Sequence, residues 1–138
     1  MALGRLARLP FPGPPLLAVG AVMFLFDRSF SILGGNAAST LAGEFAFSHS
    51  LAFALLFLGV VLRGLETGRH RALAAVLLAF TALSHVIPAI FALVAGGIAL
   101  AMRADRHRLR WALTTGLVGA LLTSVSYTHL TLPTIYSV

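Results

Sequence analysis

The chain has no cysteine and no lysine, and only four acidic side chains among 138 residues. Without cysteine there are no disulfides and no thiolate metal sites. The shortage of charge excludes more. Charged residues are 10% of the chain, where a soluble domain needs roughly a quarter to cover its surface. Hydrophobic residues make up 59%, and the mean hydropathy is +0.96. Lipid is therefore the expected solvent for most of the chain. The formal net charge of +6 raises the alternative of nucleic acid. However, the basic residues stand at the ends of apolar runs and do not line one amphipathic face, so no nucleic-acid partner is expected.

What is abundant is apolar sequence in four runs: Leu9–Phe26, Phe45–Leu62, Ala72–Met102 and Trp111–Val125. Each holds almost no charge. All ten basic residues are arginines, and their placement predicts topology. Arg5 and Arg8 precede the first run, Arg63, Arg69 and Arg71 fill "RGLETGRHR", and Arg103, Arg106, Arg108 and Arg110 fill "RADRHRLR". Only Arg28 lies elsewhere. The positive-inside rule puts those three clusters, and the N-terminus, on the cytoplasmic side and the loop 27–44 outside. Leu9–Phe26 reads as a spanning helix and not a cleaved leader, since no A-x-A-like site precedes Asp27.

The run Ala72–Met102 is too long for one simple crossing, roughly 46 Å against a hydrocarbon core of about 30 Å. A single crossing would also carry "RADRHRLR" to the wrong face. Both conflicts vanish if the run doubles back at "SHVIP", because Pro88 cannot donate to the Ser84 carbonyl and its ring crowds that carbonyl. A short hairpin of helices over 72–84 and 89–102 is expected, with Ser84–Pro88 as its apex. The alternative is one long kinked helix. Trp111 is expected as an interfacial anchor at the start of a last helix over 111–125. The residues 126–138, "SYTHLTLPTIYSV", change composition abruptly. They resemble the translated adapter read-through that ends fragmentary reading frames, and they are set aside as a probable non-native tail. The expected fold class is all-α, a polytopic transmembrane helix bundle of about four to five membrane helices in one domain over 1–125, with cytoplasmic loops at 63–71 and 103–110.

Four residues are candidates for a substrate cavity. Glu44 is a carboxylate beside the membrane, in the small, polar stretch "GGNAASTLAGEF". Such a group is costly unless it is wet or paired. It fits no capping box, because Leu41 stands where Ser or Thr would be required. Gly34, Gly35 and Gly43 permit tight turns around it. Asn36, with Ser39 and Thr40, reads as a cap or turn more readily than as a ligand. His85 belongs to a polar stripe with Thr81, Ser84 and Pro88, at i, i+3, i+4 and i+7. A histidine at membrane depth faces a bundle interior or a wet cavity, and the plainer reading is a hydrogen bond that closes the helix break. His49 reads as interfacial, and His70 and His107 as solvated. Ala92-x-x-x-Gly96 and Gly116-x-x-Gly119 suit helix contacts. No metal-ligand spacing, phosphate loop or nucleophile–base pair is present, and no cofactor is expected.

The stretch "FLFDRSFSILGGNAASTLAGEFAFSHS", with the later "TALSHVIPA", resembles a family of large bacterial membrane proteins carrying a 6-pyruvoyl-tetrahydropterin synthase-related domain. The resemblance covers about Pro12 to Ser124. The family is similar in architecture to polytopic GT-C-type glycosyltransferases that take sugars from polyprenyl-phosphate donors at the outer membrane face. It implies a multi-pass protein of the bacterial cytoplasmic membrane and a polyprenyl-phosphate-linked sugar as partner. It also implies short hairpin helices like those expected over 72–102. The catalytic acid of such enzymes lies in a first large outer loop, which this chain would have upstream of Met1. The chain is thus expected to be an interior fragment packed against the rest of a parent bundle. Glu44, His85, Asn36 and Ser84 would then line a cavity and would not perform the chemistry. The alternative is a transporter or non-catalytic membrane subunit, in which the broken helix and His85 mark a permeation site.

Overall fold

The computed structural model describes residues 1–27 and 35–135, with side chains through Val125. Arg28 and Gly34 lie outside the described residues. Every regular element among the described residues is a helix, as the composition predicts: α1 (Ala2–Leu6), α2 (Gly13–Phe26), α3 (Ala37–Leu41), α4 (Phe45–Thr67), α5 (Arg71–Ser84), α6 (Val86–Ala101) and α7 (Arg106–Ile135). The backbone of α7 continues through much of the segment set aside as a tail.

α4 organises the rest. Its 23 residues span about 35 Å, and it alone among the described residues is both long and apolar enough to cross a membrane. Ser50, Ala54, Phe57, Val61 and Leu65 are buried along it, recurring every three or four residues as one packed face demands. α4 ends five residues later than expected, because "RGLET" continues the helix and Gly68 closes it. Gly68 has φ +70, a left-handed geometry that glycine adopts at little cost, and its N–H returns to the Gly64 carbonyl at 2.7 Å.

α5 then runs back along α4, and α6 reverses again. Ser50 meets the end of α5 through a 2.8 Å hydrogen bond to the Thr81 carbonyl. Phe57, midway along α4, is the neighbour of Gly96 in α6. At the far end Arg103, just past α6, bonds Glu66 at 3.0 Å, and Arg108 Nε donates to the Leu65 carbonyl at 3.0 Å. The apolar run Ala72–Met102 therefore doubles back, and the segments "RGLETGRHR" and "RADRHRLR" meet at one end of the bundle.

The apex is narrower than expected. His85 alone leaves the helical region, with φ −163 and ψ 135, and Ser84 belongs to α5. Pro88 lies in the first turn of α6 instead of in the break. There a missing N–H costs nothing, since first-turn donors have no intrahelical partner. Two other expectations also change. The first apolar helix begins at Gly13 and not at Leu9, because the prolines of "PFPGPP" leave the preceding residues without helical donors, and the separate short α1 precedes it. Trp111 is 1% exposed, so it is a core residue and not a lipid-facing anchor. Its ring lies so close to Gly64 that a Cβ there would overlap it, and its indole N–H donates to the Arg69 carbonyl at 2.9 Å.

α2 contrasts with this packed unit. It has no buried residue, and among the described residues its neighbouring elements are α1 and α3. Leu16, Val19, Val22, Met23 and Phe26 are each more than half exposed. A helix that is apolar all round and buried on no side has nowhere to go in water.

Candidate functional site

The four candidates lie toward the end of the bundle opposite the arginines: Asn36 before α3, Glu44 before α4, Ser84 at the end of α5 and His85 between α5 and α6. Asn36 caps α3. Its Oδ1 accepts the Ser39 N–H at 2.8 Å and the Ser39 hydroxyl at 2.8 Å, while its amide donates to the Asp27 carbonyl at 2.9 Å. Thr40 donates to the Asn36 carbonyl at 2.9 Å and shares a 2.6 Å hydrogen bond with Ser48 of α4. Asn36 and Ser39 are buried. This is the cap-and-turn arrangement that such residues favour. Asn36 therefore ties α3 to the end of α2 and presents no free edge to a ligand.

Glu44 is the residue before α4, with no cap hydrogen bond from its side chain. Its backbone N–H bonds the Ser39 carbonyl at 3.1 Å. The half-buried carboxylate has no hydrogen-bond or ion-pair partner among the described residues, which leaves it able to receive an external donor. Gly43, beside it, has φ +109, where a side chain would strain the turn.

His85 serves the helix break. Its Nδ1 accepts the Ile87 N–H at 3.2 Å and so caps α6. Its ring stands edge-on to Phe47, with centroids 5.2 Å apart. The residue that seals the break comes from α4: Ser50 Oγ reaches both the Thr81 carbonyl at 2.8 Å and the His85 carbonyl at 3.2 Å. The Thr81 carbonyl also accepts the His85 N–H at 3.1 Å, so the Ser50 hydroxyl is a second donor there and ties α4 to both sides of the break. The His85 ring thus makes a local hydrogen bond at the helix break, with the Ile87 N–H as its partner. No hydrogen bond or ion pair joins His85 to Glu44 among the described residues.

Sequence reasoning passed over two residues that the structure makes central. Ser50 is one, and its signal was a lone hydroxyl within an apolar run. Glu66 is the other, the single acid of "RGLETGRHR". Arg103 reaches it at 3.0 Å, Arg63 at 3.7 Å and Arg8 at 3.9 Å, so all three arginine clusters converge on one carboxylate. Asp105 supports the same end. The Arg108 backbone N–H at 2.8 Å, helped by the Arg108 guanidinium at 3.2 Å, holds its carboxyl below the ordinary carboxylate range. Arginine still exceeds acid heavily there.

Cavities lie elsewhere. One of about 140 Å³ is lined by Phe57, Leu65, Leu100 and Trp111 with Thr115. A second, of about 430 Å³, runs past Ala82, Ala89 and Ala120. A third, of about 210 Å³, lies between the end of α2 and α3, beside Asp27. None of the three is lined by Glu44, His85, Asn36 or Ser84. Among the described residues no three His, Asp or Glu side chains are grouped to hold a metal. No family model, curated protein or solved structure matches the chain.

Proposed function

We propose that the chain is a multi-pass segment of a bacterial cytoplasmic-membrane protein, with its arginine end at the cytoplasmic surface and the α3 loop outside. The observation that carries this reading is α2, apolar on every side and buried on none, together with a hairpin that exposes Ile90, Phe91, Val94 and Ile98. Lipid or further apolar helices must cover these surfaces. Four to five membrane segments then come from α2, α4, the α5–α6 hairpin and α7. α5 and α6, 14 and 16 residues long, reach only about 21 and 24 Å. Their apex therefore stops short of the far surface, and the Ser50 hydrogen bonds suit that depth.

For the whole protein the proposed activity is sugar transfer from a polyprenyl-phosphate donor on the outer side. The support is the resemblance carried by the loop and hairpin sequences. Glu44, with its unpartnered carboxylate, is the residue of this segment best placed to meet a hydroxyl or an amine of donor or acceptor. His85 and Asn36 act as positioning residues through the break and the α3 cap. The transport reading has no observation of its own, since local hydrogen bonds occupy the broken helix.

The test is transfer of labelled sugar from a polyprenyl-phosphate donor by membranes holding the full-length protein. Glu44→Gln is expected to lower turnover by at least about tenfold, within the usual range for a positioned acid–base group, with membrane insertion intact. Wild-type turnover in that variant removes Glu44 from the site, and absence of transfer by the unaltered protein removes the activity.

A further inference from the structure

The bundle is open between α6 and α7. The two cavities of about 140 and 430 Å³ share Leu78, Leu93 and Gly116, so they form one apolar groove with α4 and α5 as its floor. Two glycines on its walls have no packing reason to be glycine. A Cβ at Gly97 or Gly116 meets no atom within 4 Å, whereas one at Gly119 would press on Leu78 at 3.1 Å. Gly119 is thus the helix contact expected of the small-residue pattern, and Gly97 and Gly116 instead widen the groove.

A second feature points to an occupant. Thr115 lines the groove, is 3% exposed, and its hydroxyl has no hydrogen-bond partner among the described residues. Thr114 and Thr123 return their hydroxyls to the carbonyl four residues back, each at 2.9 Å. Thr115 does not, and a buried hydroxyl without an acceptor is costly.

The third feature is charge at one mouth. The groove ends at Leu65, Leu100 and Trp111, and just beyond stand Arg103, ion-paired with Glu66, and Arg108, ion-paired with Asp105, in a cluster where arginines outnumber acids. From Trp111 to Thr115 is one helical turn, about 6 Å. A fitting ligand therefore carries, in order, a phosphate for the guanidiniums, a hydrogen-bond acceptor one turn deeper, and a long apolar chain. Phosphate, ester carbonyl and acyl chain follow in that order in a glycerophospholipid.

We propose that the α6–α7 groove holds an acyl chain of an anionic glycerophospholipid, with its phosphate against Arg103 and Arg108 and an ester carbonyl accepting from Thr115. This rests on the membrane reading and is independent of sugar transfer. The lipid fills the opening between two helices that hardly touch and neutralises part of the arginine excess.

Native mass spectrometry of the full chain in non-ionic detergent, with equimolar dioleoyl phosphatidylglycerol and dioleoyl phosphatidylcholine, tests the proposal. The wild type is expected to retain the anionic lipid at least about fivefold over the zwitterionic one, whose choline cancels the phosphate charge, the effect of about one arginine on an anionic headgroup. Arg103→Gln with Arg108→Gln is expected to abolish that preference. Gly116→Leu, entering open space, is expected to lower retention of both lipids with helical content unchanged. Gly97→Leu on the facing wall gives the same readout if Gly116→Leu misfolds. Thr115→Val is expected to weaken retention less. Glycerol 3-phosphate, a head without a chain, is expected not to compete. Equal retention of both lipids by the wild type, full retention by both leucine variants, or effective competition by glycerol 3-phosphate overturns the proposal. A dimer that Gly116→Leu dissociates also overturns it, by assigning the groove to a second copy. Failure of the membrane reading is separate: the chain would then be released from membranes by alkaline carbonate.

Discussion

At the arginine end of the bundle, segments distant in sequence meet. Arg8, Arg63 and Arg103 converge on Glu66, Trp111 reaches Arg69, and Arg108 reaches Leu65. At the α3 end the polar contacts stay local: Asn36 bonds Asp27, Ser39 and Thr40, and Thr40 bonds Ser48. The arginine end is thus fixed by tertiary contacts, and its geometry depends on the hairpin returning. The α3 end is fixed by its own turn chemistry and needs little from the rest of the chain. Among the described residues Ser50 links the loop side to the hairpin through the Thr81 and His85 carbonyls, and Phe47 through the His85 ring.

That contrast predicts a graded set of losses. Trp111→Ala removes the largest buried side chain, which joins α4 to α7 at the arginine end. It is expected to destabilise the bundle by about 3–5 kcal/mol, the usual cost of truncating a core tryptophan. Unfolding in mixed detergent micelles measures it, and a loss comparable to a surface change would mean that the two ends are not held differently. Ser50→Ala removes the hydroxyl that ties α4 to the Thr81 and His85 carbonyls and is expected to cost about 1–1.5 kcal/mol, the usual net value of such a hydrogen bond. Its signature is faster amide exchange around residues 81–87.

Asn36→Ala is expected to cost about 1 kcal/mol, the usual value of an N-cap. The effect should remain within α3 and its flanks, so exchange across α5 and α7 stays unchanged. If it spread to the arginine end, the locality argued here would fail. The smallest effect concerns pH. The Asp105 carboxyl titrates below its ordinary value of 3.8, so its stabilising contribution is complete above that value. It is lost only as pH falls through the lowered folded value. Stability near neutral pH is therefore expected to be flat with respect to Asp105, and Asp105→Asn is expected to remove only an acid-side decline in unfolding curves.

Much of this architecture was legible in sequence, because composition and arginine placement are one-dimensional signals. The doubling of Ala72–Met102 followed from its length and from the arginines that had to stay together. The exact apex did not, because a proline near a helix start is indistinguishable in sequence from one that ends a helix. Trp111 was misread since an aromatic beside arginines suits both an interface and a core, and only the Gly64 contact separates them. Ser50 and Glu66 went unnoticed because their importance lies in partners 31 and 37 residues away. At the candidate site, Asn36 behaved as its local chemistry indicates. Glu44 and His85 share no hydrogen bond or ion pair among the described residues, and nothing in their spacing relates α4 to the hairpin apex.

The central claim is that the hairpin crosses into lipid and returns. The absence of cysteine makes a direct measurement simple: single cysteines at Thr67, Ala104 and Leu41, all exposed, are treated with a membrane-impermeant thiol reagent in sealed vesicles of either orientation. Thr67→Cys and Ala104→Cys are predicted to react from the same face, and Leu41→Cys from the opposite one. Reaction of Thr67→Cys and Ala104→Cys from opposite faces would contradict the account.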